Sequence, residues 1–436
     1  MTTPPRTLRR LGVALTAAAL TLTLTGTIAA SAPAHAAPRW TTTTTSAAVD
    51  RVLRTADGTV DRVTVRSTSK SWVADIRTKR PGKAEKRTRI SGKGSGWDAV
   101  TLIEGSDGSA AIVSTPRDYL KAPAKVWTRA RGSATWTYRA APARTADSSV
   151  TPGIGIAKNG TLTLAYMTGD KVVTSTLARG GRWTTPRTAL LSTDLKNLAY
   201  GDAFLTLDVA PDGSADLLYA LRGAALTEGY VCEVRLVTRA RTSSSFTGTK
   251  RFGKPADACN ATMVRAGSKT VVATMDGSKS QLHVRATPSS AWRTTLKTSG
   301  YIELTGSGNG RVTALASHPE KARLYVLGAG RDTSFTKAKF TTPGNASITQ
   351  DAKGRVLLRY ATAPKNDPLR RDITVRVSTP AGTTWSKPRV LGAVSVEDDF
   401  PIDASIGEID GAGSGKFVVT WPKKIGADAT RVAVRN

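Results

Sequence analysis

Apolar and polar residues alternate along most of this chain in short runs such as "TLTLAYM", "ADLLYAL", "KTVVATM", "RVTALAS", "RVLLRYA" and "KFVVTWP". A period of two with β-branched residues is the pattern of a half-buried strand. No long segment keeps the 3.6-residue period of a helix. The runs are separated by tight-turn dipeptides: Asp57-Gly58, Asp107-Gly108, Asn159-Gly160, Asp212-Gly213 and Asn309-Gly310, with poorer copies at Gly267-Ser268, Lys353-Gly354 and Ser414-Gly415. Asp-Gly and Asn-Gly predict two-residue hairpin turns in which both central residues take positive φ.

A second motif trails the first by roughly 25 to 35 residues, a small-residue turn followed by an aromatic, and fixed-period recurrence of this kind marks a repeat architecture. It reads "RGSATWT" at Trp136, "RGGRWTT" at Trp183, "TSSSFTG" at Phe246, "PSSAWRT" at Trp292, "RDTSFTK" at Phe335 and "AGTTWSK" at Trp385. The repeating unit is strand A, tight turn, strand B, variable loop, strand C, small-residue turn, then strand D opened by the aromatic. Four strands every roughly 45 to 55 residues is the spacing of a β-propeller blade. The predicted fold is all-β, a propeller of four-stranded blades. The turn glycines number eight units; discounting the weak first copy, where "AEKRTRI" lacks the aromatic, leaves seven.

The last unit has strands A, B and C and then stops, while "PRWTTTT" at 38–44 is a strand D without its front half. The N-terminal segment is therefore predicted to pair into the last blade and close the ring, which removes an exposed sheet edge. Ahead of it, "MTTPPRTLRRLGVALTAAALTLTLTGTIAASAPAHA" has a basic start, an apolar core and an A-x-A end. That is the pattern of a secretory signal peptide over 1–36, leaving one propeller domain over 37–436. No later stretch approaches the roughly 20 apolar residues that span a bilayer. The expected location is extracellular, without integral membrane association.

Export changes the reading of the two cysteines, Cys232 and Cys259. An even pair in an oxidising compartment predicts a disulfide; closing a loop of roughly 27 residues would stabilise by about 3.5 kcal/mol in the chain-entropy model. The formal net charge of +30 attracts polyanions nonspecifically, although no basic run is interleaved with aromatics as a nucleic-acid site would be.

Length variation is concentrated in the loops joining strands B to C, such as "STPRDYLKAPAKVW", "ALRGAALTEGYVC" and "ATAPKNDPLRRDI". Variable loops on one side of a rigid ring are where binding residues usually lie. On that face the dipeptide Asp-Ala enters strand A four times, at Asp98, Asp202, Asp257 and Asp403. These carboxylates are predicted at the mouth of the central channel, either accepting ligand hydroxyls or accepting backbone hydrogen bonds that staple neighbouring blades. Trp97 is the candidate stacking platform, and Tyr119, Tyr230 and His318 are candidate loop contacts.

Catalytic chemistry is sparse. Beyond the leader only His283 and His318 remain, too few for a zinc site, and no G-x-S-x-G occurs. A glycoside hydrolase needs two carboxylates at a fixed separation, for which Asp98, Asp202 and Asp403 are the residues available. The acidic run "VEDDFPIDASIGEID" lacks the spacing and central glycine of a Ca²⁺ loop, so no cofactor is expected, with Ca²⁺ there as the lesser alternative.

The small-residue turn plus aromatic, as in "STPAGTTWSKP" and "ATPSSAWRT", resembles the Asp-box repeats of sialidase-like propellers and related secreted actinobacterial propellers across the whole mature chain. The Asp that names the box is missing from nearly every copy, with Asp332 near its place but out of register, and the Phe-Arg-Ile-Pro signature of sialidases does not occur. The resemblance implies the fold rather than sialidase activity. It is also similar to the lectin subunits of antibacterial umbrella toxin particles, which implies a lectin-like module that recognises extracellular or cell-wall glycans and sits with protein partners in a secreted complex. The competing readings are a sialidase-like glycoside hydrolase or lyase using the channel carboxylates, and a basic protein-interaction scaffold.

Overall fold

The computed structural model describes residues 40–435 except 46–50, 68–70, 94–98, 106, 116–124, 142–151, 169–170, 180, 192–197, 226–228, 253–259, 277–278, 319, 368, 396–408, 413–415 and 423–429. These residues form eight antiparallel four-stranded sheets, each following chain order from its innermost strand outward except the last. The blades start at the inner strands Arg51–Arg54, Ala99–Glu104, Gly153–Ile156, Leu198–Val209, Asn260–Ala266, Tyr301–Gly306, Ser347–Gln350 and Ile409–Ala412, which define blades 1 to 8. Each inner strand packs beside those of the two neighbouring blades, and that of blade 8 packs beside that of blade 1. The fold is an eight-bladed β-propeller, closed at its hub.

The ring closes as the sequence predicts. The outer strand of blade 8 is Trp40–Thr45, paired antiparallel with Thr430–Arg435. Trp40 stands opposite Arg435 in the register that sets Trp136 opposite Arg129 in blade 2, so the N-terminal segment occupies the strand D position of an ordinary blade. Trp40 packs against the cluster that holds Phe417, Val419 and Trp421. Blade 1 is a complete sheet despite lacking the aromatic at its fourth strand, Lys86–Lys93.

Alternating side chains from facing sheets make the core. Buried clusters sit between successive blades, such as Ala111, Ile154, Leu164 and Tyr166 between blades 2 and 3, and Ala165, Leu205, Leu217 and Tyr219 between blades 3 and 4. Burying a Leu- or Val-sized side chain stabilises by about 1.5–3 kcal/mol, so these clusters supply the attraction between wedges.

The tight turns are of a different type from the one predicted. In blade 1 the Gly58 amide donates to the Thr55 carbonyl and the Thr55 amide to the Thr59 carbonyl. That is a three-residue loop, a turn followed by one left-handed residue. Gly58 takes that position with φ +83°. The Asp57 carboxylate accepts the Thr59 amide at 3.0 Å; Asp107, Asn159, Asp212 and Asn309 repeat this bond. Asp and Asn are selected here as side-chain acceptors, not for positive φ.

Candidate functional site

The predicted channel-mouth site falls largely outside the described residues: Trp97, Asp98, Tyr119, Asp257 and Asp403 all lie there, as does most of the acidic run proposed for Ca²⁺. Asp202 lies within a twelve-residue inner strand rather than in the loop before it, opposite Arg222. Tyr230 is the second residue of Gly229–Arg239 and stands opposite Ala224. The stretch read from sequence as a long loop, "ALRGAALTEGYVC", is thus mostly a hairpin extension of blade 4. His318 is exposed between the second and third strands of blade 6, beside a cleft of about 270 Å³ lined also by Glu320, Lys321 and Arg323. Asp202 and Tyr230 share blade 4, and His318 is two blades away. Cys232 is buried in the third strand of blade 4, and Cys259 lies outside the described residues.

Among the described residues, carboxylates of the inner strands staple neighbouring blades. On the inner strands Asp410 accepts the Arg54 amide of blade 1. Glu104 accepts the Ala56 amide at 2.5 Å, Asp208 the Arg265 amide at 2.7 Å, and Glu303 the Ile348 amide at 3.3 Å. Each bond crosses one blade junction. Burial and the neighbouring Asp410 charge push Glu104 up to about 9, and burial pushes Asp208 up to about 6. Among the described residues no cluster of His, Cys, Asp and Glu could hold a metal ion.

The opposite face, where the A–B and C–D turns emerge, carries a repeated device. Arg129, Arg239 and Arg285 end the third strands of blades 2, 4 and 5, each seven residues before the aromatic of its own turn. Their guanidinium groups lie over Trp136, Phe246 and Trp292 at 5.6, 5.3 and 5.0 Å from the ring centroids. Such stacking favours the charged form. Each guanidinium also reaches the preceding blade at the third residue after its turn glycine. In blade 1 that residue is Asp61, which Arg129 meets at 2.7 Å with both side chains fully buried. In blade 4 it is Asp216, which Arg285 meets at 2.9 Å. In blade 3 it is Thr163, and Arg239 donates to its hydroxyl at 3.1 Å and to the Gly213 carbonyl at 3.1 Å.

Between blades 5 and 6 the polarity is reversed. Gly328 stands where the arginine would be, Lys269 from blade 5 is wholly buried, and its Nζ donates to the Gly328 carbonyl at 2.7 Å. Asp332 lies so close that a Cβ on Gly328 would meet its Oδ2 at 2.6 Å.

The junction of blades 3 and 4 stays open. At the hub the two blades approach closely, since a Cβ on Gly155 would meet Val209 Cγ2 at 2.5 Å. Outward they part around a cavity of about 700 Å³, within the range of small-molecule sites. Its floor is hydroxyl-rich, with Thr163, Thr174 and Ser175 all buried. Trp183 forms one wall and its buried Nε1 has no hydrogen-bond partner. Arg239, Arg241 and Arg187 also line it, against the single carboxylate of Asp212, which is engaged by the Ser214 amide and hydroxyl. Sequence inspection missed this cleft because the informative comparison is one position, the third after each turn glycine, read across blades.

No family model matches the chain, and no curated protein matches it. Among solved structures it is similar to the β-propeller domain of the Trilobed protease from Pyrococcus furiosus, at 8% identity over 82% of this chain and 97% of that one, with a TM-score of 0.45. It is similar to SapL1 lectin, solved with alpha methyl fucoside, at 14% identity over 70% and 97% of the two chains with a TM-score of 0.37. An ulvan lyase of a polysaccharide lyase family is similar at 9% identity over 79% and 96% with a TM-score of 0.44. These are distant likenesses of fold.

Proposed function

We propose that the protein is an exported, lectin-like propeller that binds extracellular or cell-wall glycans, with the segment 1–36 as its signal peptide and a Cys232–Cys259 disulfide fastening blade 4. The cleft between blades 3 and 4 carries this reading. It joins an indole wall to a floor of hydroxyls and guanidinium donors, the mixture of an apolar platform and convergent polar groups that a sugar ring requires. A targeting role within a secreted antibacterial complex fits the same reading, with the ring as the recognition part. Trp97, Asp98, Asp202, Asp257 and Asp403, the residues expected from sequence at the channel mouth, are the second candidate set for the ligand.

A glycan array probed with the purified protein tests it. The reading predicts a restricted set of bound glycans, retained at about 0.5 M salt, where exposed charges are screened. Binding to no glycan, or to every anionic polymer alike with loss in salt, contradicts it.

A further inference from the structure

We infer that the cleft between blades 3 and 4 recognises a sugar carboxylate, and that Arg239 is its charge partner. The inference rests on the glycan-binding reading and names the substrate class.

The protein supplies its own comparison. At the junctions of blades 1 with 2 and 4 with 5, the arginine that ends strand C is neutralised by a carboxylate, Asp61 or Asp216, from the preceding blade. At the junction of blades 3 and 4 the same arginine is present, stacked on its aromatic and only 8% exposed. Its carboxylate partner is replaced by Thr163. A buried cation without a counter-charge is costly, and two neutral acceptors compensate it only in part. Arg239 donates through Nη2 alone, so Nε and Nη1 remain for a ligand, and among the described residues no carboxylate pairs with it. Burial lowers its proton affinity with no opposing acid.

Both forks of a guanidinium use Nη2, so Arg239 offers a single charge-assisted hydrogen bond, from Nε or from Nη1, to a carboxylate. The rest of the cavity suits the sugar that carries it. Trp183 offers an apolar face, Thr174 and Ser175 lie on the floor, and exposed Arg241 and Arg187 stand at the rim. Asp212 at the rim is the one group that would repel the ligand, and its Oδ1 is already held by Ser214. The three arginines outweigh it.

Calorimetric titration of the purified protein with trigalacturonic acid and with 3′-sialyllactose, each beside its carboxyl methyl ester, tests the assignment. At least one acid binds about tenfold or more tightly than its ester, and the preference persists at about 0.5 M NaCl because a buried pair is screened little. Thr163→Asp installs the counter-charge seen at the sister junctions and lowers affinity for that acid about tenfold, while its melting temperature is no lower than that of the parent. Arg241→Ala, an exposed rim change, lowers affinity by about threefold, less than a lost buried pair. Equal binding of acid and ester overturns the assignment, with or without a foldable Thr163→Asp variant. Unchanged binding by Thr163→Asp overturns it too. If neutral glycans bind parent and variant alike, the carboxylate site fails and the lectin reading stands; if no glycan binds at all, both fail.

Discussion

Asp61 and Arg129 form a 2.7 Å salt bridge across the junction of blades 1 and 2, with both side chains wholly excluded from solvent. The Thr78 hydroxyl donates to the other Asp61 oxygen at 2.6 Å, and the Trp136 indole donates to that hydroxyl at 3.2 Å. The acid, the base, the hydroxyl and the ring form one satisfied network. Burial raises the Asp61 carboxyl above its ordinary value, and the Arg129 charge opposes that shift only in part.

Removing one partner leaves the other buried and uncompensated, which typically costs about 3–5 kcal/mol. Arg129→Ala is therefore expected to lower stability by about that amount in urea unfolding. Arg87→Ala, which removes a solvent-screened guanidinium from its pair with Asp75, is expected to leave the urea midpoint close to that of the parent. Equal effects would show that burial at the junction is not what gives the pair its weight.

Stability should fall as pH rises across the neutral range. Glu104 is raised to about 9 in the folded protein from an ordinary 4.5. The folded state holds this proton more tightly than the unfolded chain, so its contribution is full below pH 4.5 and is lost as pH rises towards 9. Asp208, raised to about 6, adds the same sign between 3.8 and 6. Glu104→Gln is expected to flatten the decline in melting temperature between pH 5 and 9. A parent protein that gains stability over that range contradicts it.

The acid side carries an opposite term. His283 is held between the hydroxyls of Thr274 and Thr294, and burial, helped by the Lys250 charge, lowers it to about 4. The unfolded chain takes up this proton first, so the contribution of neutral His283 is present above pH 6.5 and lost as pH falls through 4. Nuclear magnetic resonance titration of its ring protons is expected to show no midpoint near 6.5.

Blades 3 and 4 meet at the hub through Gly155, where an added Cβ would also lie 3.2 Å from the Val209 backbone nitrogen. Gly155→Ala is expected to cost about 1–3 kcal/mol by overpacking, measured by thermal unfolding. Gly132→Ala is different: its new Cβ would meet nothing, although φ there is +67°, so its cost is confined to backbone strain of about 1 kcal/mol.

The architecture was legible because each blade repeats two local signals, the turn glycine and the strand D aromatic. Those signals place the outer strand of blade 8 at Trp40, where the structure has it. The turn type was misread, since the role of Asp57 as an acceptor for Thr59 depends on a loop one residue longer than the dipeptide suggests. The inner-strand staples Glu104 and Asp208 were not legible, because which carboxylate faces a neighbouring amide depends on the stagger between blades. Thr163 was legible in principle. Aligned on the turn glycine it occupies the column of Asp61 and Asp216, but a threonine in a strand attracts no notice until the arginine across from it is known.

The proposed ligand lies between blades 3 and 4, with its acid on Arg239. A crystal structure of the protein with the tightest-binding acidic oligosaccharide addresses this most directly. Sugar density is expected in that cleft, with the carboxylate within hydrogen-bond distance of the Arg239 guanidinium and a sugar ring against Trp183. Density confined to the channel mouth or to the cleft beside His318, with Arg239 untouched, would contradict it.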